Sequence, residues 1–442
     1  MAKLTVKLTQ HTPIIHFQHE QEGAAIRPTE IKHYLTQYIK NIGKYYKNEF
    51  ENKINEQFPP GNGIYRISIE PVTITERIIP KHLDRGKIGG SEYANYGEFK
   101  GVKQEERHKI ITHSQYFGDI KEMLTYQEPV VVTFFSFDLN ILTKVYYALQ
   151  FIFALENFGA RANKGFGSFS VLATPEIDWD ISKIDGKYDL EIGSILKKTG
   201  KDIYCFETND YKSEPYKTIF YFYNALKGGI NEGNDKYFKS LLWKYYNRNT
   251  KPAIIWEKRL LKQKMFKDPN PNPYNLPEKY LRVLLGFTSE YVFRRKQNVR
   301  MDKDYYYIDS YGKDRADEGF FDINNDTIFY AKNPEIERST SPITFKPIKI
   351  EGGYRVYIIL KPELYTEVID NCEFDIRKQK FTIQDHKDDS KVIWKVIIPT
   401  IPDFDLNDFI KWACSEINKN NTNVFFQNLK IFDLNGKEVM YE

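Results

Sequence analysis

Cysteine is scarce in this 442-residue chain. Cys205, Cys372 and Cys414 are odd in number, far apart and without a C-x-x-C pair, so neither a disulfide scaffold nor a structural zinc site is supported. An excess of one charge is also missing. Lys+Arg 64 against Asp+Glu 60 leaves +4, which excludes a polybasic protein that coats nucleic acid. Any surface for nucleic acid must come from local clustering. No uncharged run reaches the length of a membrane span. Met1-Ala-Lys-Leu-Thr-Val-Lys7 opens in strand alternation rather than with the charged and apolar regions of a signal peptide. The expectation is a soluble cytoplasmic protein with no membrane partner, no metal and no small-molecule cofactor.

Aromatic residues are abundant, with 32 Tyr and 31 Phe. Such rings suit base stacking, but most are expected in strands and cores, which aromatic residues favour.

The most telling stretch is Leu155-Glu-Asn-Phe-Gly-Ala-Arg-Ala-Asn-Lys-Gly-Phe-Gly-Ser-Phe169. It follows an apolar run, Leu139 to Leu155, that reads as a buried helix, and precedes a short strand pattern, Phe169 to Ala173. Gly159, Gly165 and Gly167 bracket Arg161 and Lys164 in a turn that no helix tolerates. Glycine accepts positive φ, and successive amides in such a turn can form an anion-binding concavity. A phosphate-bearing partner is the natural reading. The competing one is a glycine-capped helix end with two solvated cations. A P-loop and a dinucleotide fingerprint both require strand, glycines and then helix, whereas here the glycines come after the helix. The loop is therefore expected to hold an extended backbone.

Along the chain, Ala2 to Gln10 alternates as a half-buried strand. Pro28 opens a helix with Ile31, Leu35, Tyr38, Ile39 and Ile42 on one face. Gly63 to Glu76 returns to alternation, Arg77 to Gly118 is polar and glycine-rich, and Pro129 to Phe137 reads as a strand. The order strand–helix–strand–insert–strand–helix–strand is that of a ferredoxin-like β-α-β-β-α-β unit over residues 1–175. Thr174 to Asp180 reads as a linker. In residues 176–442, Ile203 to Glu207 reads as a strand, and Tyr216–Leu226, Lys236–Tyr246 and Ile254–Phe266 as helices. Strands follow at Ile343–Ile350, Tyr354–Leu360 and Lys391–Ile398, with a hairpin turn at Glu351-Gly-Gly. Asp403 to Ile417 then reads as a helix and Asn423 to Asp433 as a last strand. The expected class is α+β: two tandem ferredoxin-like units, the second with inserted helices.

Two such units, with a glycine loop after the second helix of one, resemble the RAMP superfamily of CRISPR–Cas proteins. Gly159, Arg161, Lys164, Gly165 and Gly167 fit the superfamily's G-x-R-x-x-[KR]-G-x-G loop. Leu8-Thr-Gln-His-Thr-Pro-Ile-Ile-His16 looks like its T-P-[IL] opening, with Gly23-Ala-Ala-Ile-Arg27 shortly after. Glu337-Arg-Ser-Thr-Ser-Pro-Ile-Thr-Phe345 resembles the R-x-x-S-P-[LI] segment of first subunits of type III-B (Cmr) effector complexes. Residues 180–330 match nothing recognisable. The resemblance implies an RNA-binding structural subunit that takes part in antiviral defence. It would contact the 3′ part of a crRNA and the target RNA, and pack against other Cmr-type subunits. The residues it implicates are Gly159, Arg161, Lys164, Gly165, Phe166, Gly167, Arg27 and Arg338.

Other clusters carry chemistry of their own. Arg77, Lys81, Arg85, Lys87, Lys100, Lys103, Arg107 and Lys109 interleave with Tyr93, Tyr96 and Phe99. Cations there supply phosphate affinity and rings supply stacking, and Lys87, Lys100 and Lys103 join the expected RNA contacts. The plainer reading is a solvated loop. His11, His16 and His19 cluster early, and histidine serves general acid/base catalysis near neutral pH. An alternative is therefore a metal-independent crRNA-processing endoribonuclease using His11 or His16. No paired carboxylates or metal-ligand spacing accompany them, and His16 between Ile15 and Phe17 reads as packed. The favoured expectation is that the chain is not an enzyme. Lys258–Lys264 and Arg294–Arg300 are charge runs that read as solvated helix faces, the alternative being that one of them extends the RNA path or meets an acidic neighbour subunit.

Overall fold

The computed structural model describes residues 1–16, 26–40, 65–78, 123–180, 188–208, 214–233, 236–248, 281–286, 290–293, 327–332, 340–362, 364, 380–385, 388–397, 404–420, 425–426 and 428–441. The structure is α+β with antiparallel sheets.

The alternating N-terminal segment becomes strand β1 (Ala2–Gln10), with Leu4, Val6 and Leu8 buried on one face. Helix α1 (Pro28–Lys40) follows, then β2 (Arg66–Ile69), a side hairpin of β3 (Ile74–Ile78) and β4 (Met123–Tyr126), and β5 (Val130–Ser136). Helix α2 (Leu139–Leu155) starts at Asp138, whose carboxylate accepts from the amides of Asn140 at 2.9 Å and Ile141 at 3.4 Å. That cap satisfies two donors that no helical carbonyl can reach. From Ile141 to Leu155 every residue of α2 is buried, as an apolar surface on all sides requires. Strand β6 (Phe169–Val171) closes the sheet in the order β2-β5-β1-β6. β1 pairs in register with β5 from Ala2↔Ser136 to Leu8↔Val130.

The stretch expected to be a linker is structured. β7 (Glu176–Ile177) pairs with Leu4 and Thr5 of β1. Helix α3 (Ile192–Lys198) then buries Ile192, Ile195 and Leu196 in the first core. Ile177 and Trp179 are apolar enough to extend that core, which is why the segment docks instead of spanning.

A second four-stranded sheet holds β8 (Ile203–Thr208). After it come helix α4 (Glu214–Lys227), the hairpin β9 (Ile230–Gly233) and β10 (Lys236–Phe238), and helix α5 (Leu241–Arg248). The helix expected over Lys236–Tyr246 is thus split. Its first residues pair with β9, and Ser240 Oγ accepts from the Trp243 amide at 3.4 Å, so the helix begins only at Leu241. Strands β11 (Glu290–Phe293) and β12 (Thr327–Lys332) belong to a separate sheet. The hairpin β13 (Ile343–Ile350) and β14 (Gly353–Leu360) closes at Glu351-Gly352, with Gly352 at φ +83. Next come β15 (Lys380–Asp385), β16 (Asp388–Ile397), helix α6 (Leu406–Lys419) and β17 (Ile431–Asp433).

The second sheet runs β13-β14-β8-β17, and the separate one runs β11-β12-β15-β16. The strand expected at Lys391–Ile398 is β16, and it pairs with β15 in the separate sheet. Among the described residues of the expected last strand, Ile431–Asp433 join β8. The inserted helix expected over Ile254–Phe266 lies outside the described residues.

The second sheet is buried on both faces. Tyr204, Phe206, Val356 and Ile358 pack with α4, α5 and α6, whereas Ile203, Tyr357 and Ile359 pack into the first core with α2 and α3. Strand periodicity of two sends neighbours to opposite faces, which lets one sheet serve two cores.

Candidate nucleic-acid interface

The glycine loop is built at the seam of these two cores. α2 stops at Glu156, which is extended (φ −107, ψ 148), so none of the glycines is its left-handed cap. Asn157 instead bridges to Ser168, and the Phe158 amide donates to the Gly167 carbonyl at 2.9 Å. Within that closed ring, Arg161 (φ 58) and Gly165 (φ 90) flank a short 3-10 turn, Ala162–Lys164. Gly167 sits at φ +63, and a Cβ there would overlap the Phe158 carbonyl. Only glycine fits both the dihedral and the space.

Several of the loop amides are engaged by the chain itself. Gly159 donates to Glu30 Oε1 at 2.7 Å, Ala160 to the Ile15 carbonyl at 2.7 Å and Gly167 to that of Pro13 at 2.9 Å. Lys164 donates to Arg161 at 2.8 Å, Gly165 to Ala162 at 3.1 Å and Ser168 to Thr12 Oγ1 at 2.9 Å. Buried amides must find partners, and for Gly159, Ala160, Gly167 and Ser168 the N-terminal segment supplies them. Gly159, Gly165 and Gly167 shape the loop, and their amides are engaged within the chain. Glu30, in the first turn of α1, supplies the carboxylate that accepts from the Gly159 amide. Burial raises its carboxyl pKa, against the pull of the Gly159 amide and of Arg27.

Phe166 faces inward. It is fully buried and stacks on Tyr216 at 4.3 Å between centroids and 9° between planes, so its ring is not offered to a base. Gly165 is pressed against α4 and β13. A Cβ there would lie 2.9 Å from Ile219 of α4 and 2.9 Å from Pro347 of β13.

Lys164 does not display its charge. Its residue is half-exposed, yet its Nζ is buried without a hydrogen-bond partner, 2.6 Å from the centroid of Tyr223. Burial pushes its pKa well below the lysine range, and the charges of Lys227 and Arg161 push the same way. Arg161 is half-exposed and engaged by neighbours. Arg27 lies just before α1, half-exposed, with Nη2 buried and lacking a hydrogen-bond partner. Lys87, Lys100, Lys103 and Arg338 lie outside the described residues, as do His19 and the charge runs at Lys258–Lys264 and Arg294–Arg300.

The two early histidines have different surroundings. His11 Nδ1 accepts from the Lys349 amide at 3.1 Å, and Nε2 meets Ser170 Oγ at 2.7 Å. A ring that accepts at Nδ1 is a neutral imidazole carrying its proton on Nε2. Burial lowers its pKa to about 3, helped by the charges of Lys346 and Lys349. A histidine with both nitrogens engaged and so little basicity is a poor proton acceptor for catalysis. His16 is half-exposed, with Nε2 2.8 Å from Tyr126 OH, and burial and then Arg27 lower its pKa.

The seam itself is polar. β13 is an edge strand, and residues flanking the first sheet cover its outward groups: Asn157 Nδ2 donates to the Phe345 carbonyl at 2.8 Å, and Lys349 N–H reaches His11. Pro347, two residues from each, has no amide to satisfy at an edge. Lys346 is fully buried and donates to the carbonyls of Glu156 at 2.7 Å and Phe169 at 2.8 Å. The Glu156 carboxylate meets Lys361 Nζ at 2.5 Å and accepts from Tyr38 OH at 3.2 Å. Tyr223, Lys227, Arg282, Asn157 and Lys346 escaped the sequence reading. Their only local signal is Lys227-Gly-Gly at a helix end, which reads as an ordinary cap. Among the described residues no group of three or more His, Cys, Asp or Glu could hold a metal, and no helix is long and apolar enough to cross a membrane.

The chain matches the model of the Cmr1 N-terminal domain over residues 1–230 and that of the Cmr1 C-terminal domain over residues 237–434. No curated protein matches it. Among solved structures it is similar to Cmr1 from Pyrococcus furiosus in its apo form. The identity is 13%, with 82% of this chain and 88% of that one covered and a TM-score of 0.32. It is also similar to a chain of the type III-B Cmr-beta complex bound to cognate target RNA (12% identity, 81% and 94% covered, TM-score 0.33). A chain of Cmr-beta with cognate target RNA and AMPPnP, in the presence of ssDNA, gives 11% identity, 84% and 99% covered, and a TM-score of 0.34. Likenesses with scores this low say nothing by themselves about function.

Proposed function

The chain belongs to the Cmr1 family, and we propose that it serves as a non-catalytic RNA-binding subunit of a type III-B (Cmr) effector ribonucleoprotein in antiviral defence. In this role it contacts the 3′ part of a crRNA and the target RNA and packs against other Cmr subunits. The observation that carries the proposal is the pair of family matches, 1–230 and 237–434, which together span nearly the whole chain. On the same reading the chain is two ferredoxin-like units, residues 1–175 and 176–442. In support, both main sheets place their first strand between the third and the fourth, in β2-β5-β1-β6 and β13-β14-β8-β17. With the amides of Gly159, Ala160, Gly167 and Ser168 engaged within the chain, the phosphate contacts fall to side chains, foremost Arg161 of the glycine loop and Arg27, whose charge acts on Glu30.

The test is anisotropy of a labelled single-stranded RNA titrated with the full chain over a range of KCl. Arg161→Gln is expected to lower the slope of log K against log[salt] by about 0.7, one phosphate contact. No measurable RNA affinity in the wild type, or an unchanged slope, would overturn the proposal. The endoribonuclease alternative is tested by incubating the chain with repeat RNA in EDTA. Cleavage at one phosphodiester, lost in His16→Ala, would replace the non-catalytic reading.

A further inference from the structure

The first sheet has a core face and an outer face. Leu4, Val6, Leu8, Val130, Val132 and Phe134 send their side chains into the core with α1 and α2. Strand alternation sends Lys3 and Thr5 of β1, Thr133 and Phe135 of β5, and Arg66 and Ser68 of β2 to the opposite side. Lys3, Arg66 and Ser68 are exposed and Phe135 is half-buried, so this side meets solvent at its β2–β5–β1 end.

The register sets a phenylalanine between two cations. Phe135 stands opposite Lys3 on one side and opposite Arg66 on the other. Residues directly opposed in an antiparallel ladder have Cβ atoms about 4.5–5.5 Å apart, so the ring carries an exposed cation on each flank. Phe137, just past the end of β5, is 86% exposed. One exposed ring alone would need no partner. Two rings two residues apart, the inner one between cations, make a patterned surface. The next row is polar, with Ser68, Thr133 and Thr5 side by side, so the face lacks the continuous apolar field that suits an apolar protein partner. The acids at its β7 border are engaged. Glu176 meets Lys7 Nζ at 2.6 Å, and Asp178 Oδ1 accepts from the Lys3 amide at 2.9 Å.

We propose that the outer face of the first sheet, at Phe135, Phe137, Lys3 and Arg66, is a stacking platform for unpaired bases of bound RNA. The inference rests on the RNA-binding reading above and adds a second contact region, on the sheet rather than at the glycine loop. Aromatic side chains on an open sheet can stack the splayed bases of a single strand. Such stacking accepts any sequence, because every base has a π face. Phe135 and Phe137 take the bases, and Lys3 and Arg66 attract the phosphates that run past them.

The experiment uses the full chain and the same single-stranded RNA and salt titration. Phe137→Ala and Phe135→Leu are each expected to weaken RNA binding about tenfold, the size of one lost stacked base, with the salt slope unchanged. Phe135→Tyr keeps the ring and should bind as the wild type does. Arg66→Gln should instead lower the slope by about 0.7. Wild-type affinity in both Phe137→Ala and Phe135→Leu overturns the platform. So does a loss in Phe135→Tyr equal to that in Phe135→Leu, which would mark packing rather than stacking. If Phe135→Leu does not fold, Phe137→Ala decides alone, since its ring already lies in solvent. Unchanged RNA affinity with loss of co-purifying Cmr subunits would make the face a protein contact and overturn the proposal. Arg161→Gln separates this from the parent reading. If it lowers the slope while the phenylalanine variants bind as wild type, RNA binding stands and the platform falls. If the wild type binds no RNA, both fall.

Discussion

Acidification should loosen the seam between the two cores through one residue, His11. In the folded chain the imidazole faces Ser170 of β6 and Lys346 and Lys349 of β13, and its pKa is lowered from 6.5 to about 3. In the unfolded chain it titrates near the ordinary value. Between those pH values the unfolded state binds the extra proton and the folded state does not. Stability from this group is therefore fully present above about pH 6.5 and is lost as pH falls toward about 3. The loss is about 1.4 kcal/mol per pH unit, hence about 2 kcal/mol between pH 6.5 and pH 5. His11→Gln retains an acceptor and cannot titrate. Urea unfolding of wild type and His11→Gln at pH 7 and pH 5 isolates the effect, because His16 and the carboxylates are common to both chains. The wild type should lose about 2 kcal/mol more than the variant over that interval. Equal losses would refute the neutral, doubly bonded His11 and return it to the candidates for proton transfer.

Gly167→Ala forces a side chain into positive φ and into the Phe158 carbonyl. It should cost at least about 1–3 kcal/mol, read as a lower melting temperature without RNA, and an unchanged melting curve would refute the tight-turn argument. Glu156→Gln leaves Lys361 without its carboxylate at a site where both side chains are largely buried (15% and 9% exposed). It should destabilise the chain by about 3 kcal/mol in urea unfolding at pH 7, and a change near zero would show that the pair contributes nothing at the seam.

Much of the fold was legible because its signals are local. Alternation placed β1, Pro28 placed the start of α1, and the continuous apolar run placed α2 in the middle of the core. The pair Glu351-Gly352 placed the β13–β14 turn, and the glycine spacing placed a tight loop after α2. The misread segments were those whose partner decides their state. Lys236–Phe238 has enough periodicity for a helix but finds β9, and Glu176–Ile177 looks like a spacer but finds an edge of β1.

The candidate site divides along the same line. By itself the sequence determined that Gly159, Arg161, Lys164, Gly165 and Gly167 make a tight cationic turn, because dihedral freedom and charge are properties of the residues. Only the tertiary structure decided that the amides of that turn are spent on Glu30, Ile15 and Pro13, that Phe166 stacks on Tyr216, and that Lys164 turns inward to Tyr223. Those partners lie from about fifty to a hundred and fifty residues away along the chain. A hydrogen bond or a ring contact acts over a few ångströms whatever the separation in sequence, so no local pattern could have named them.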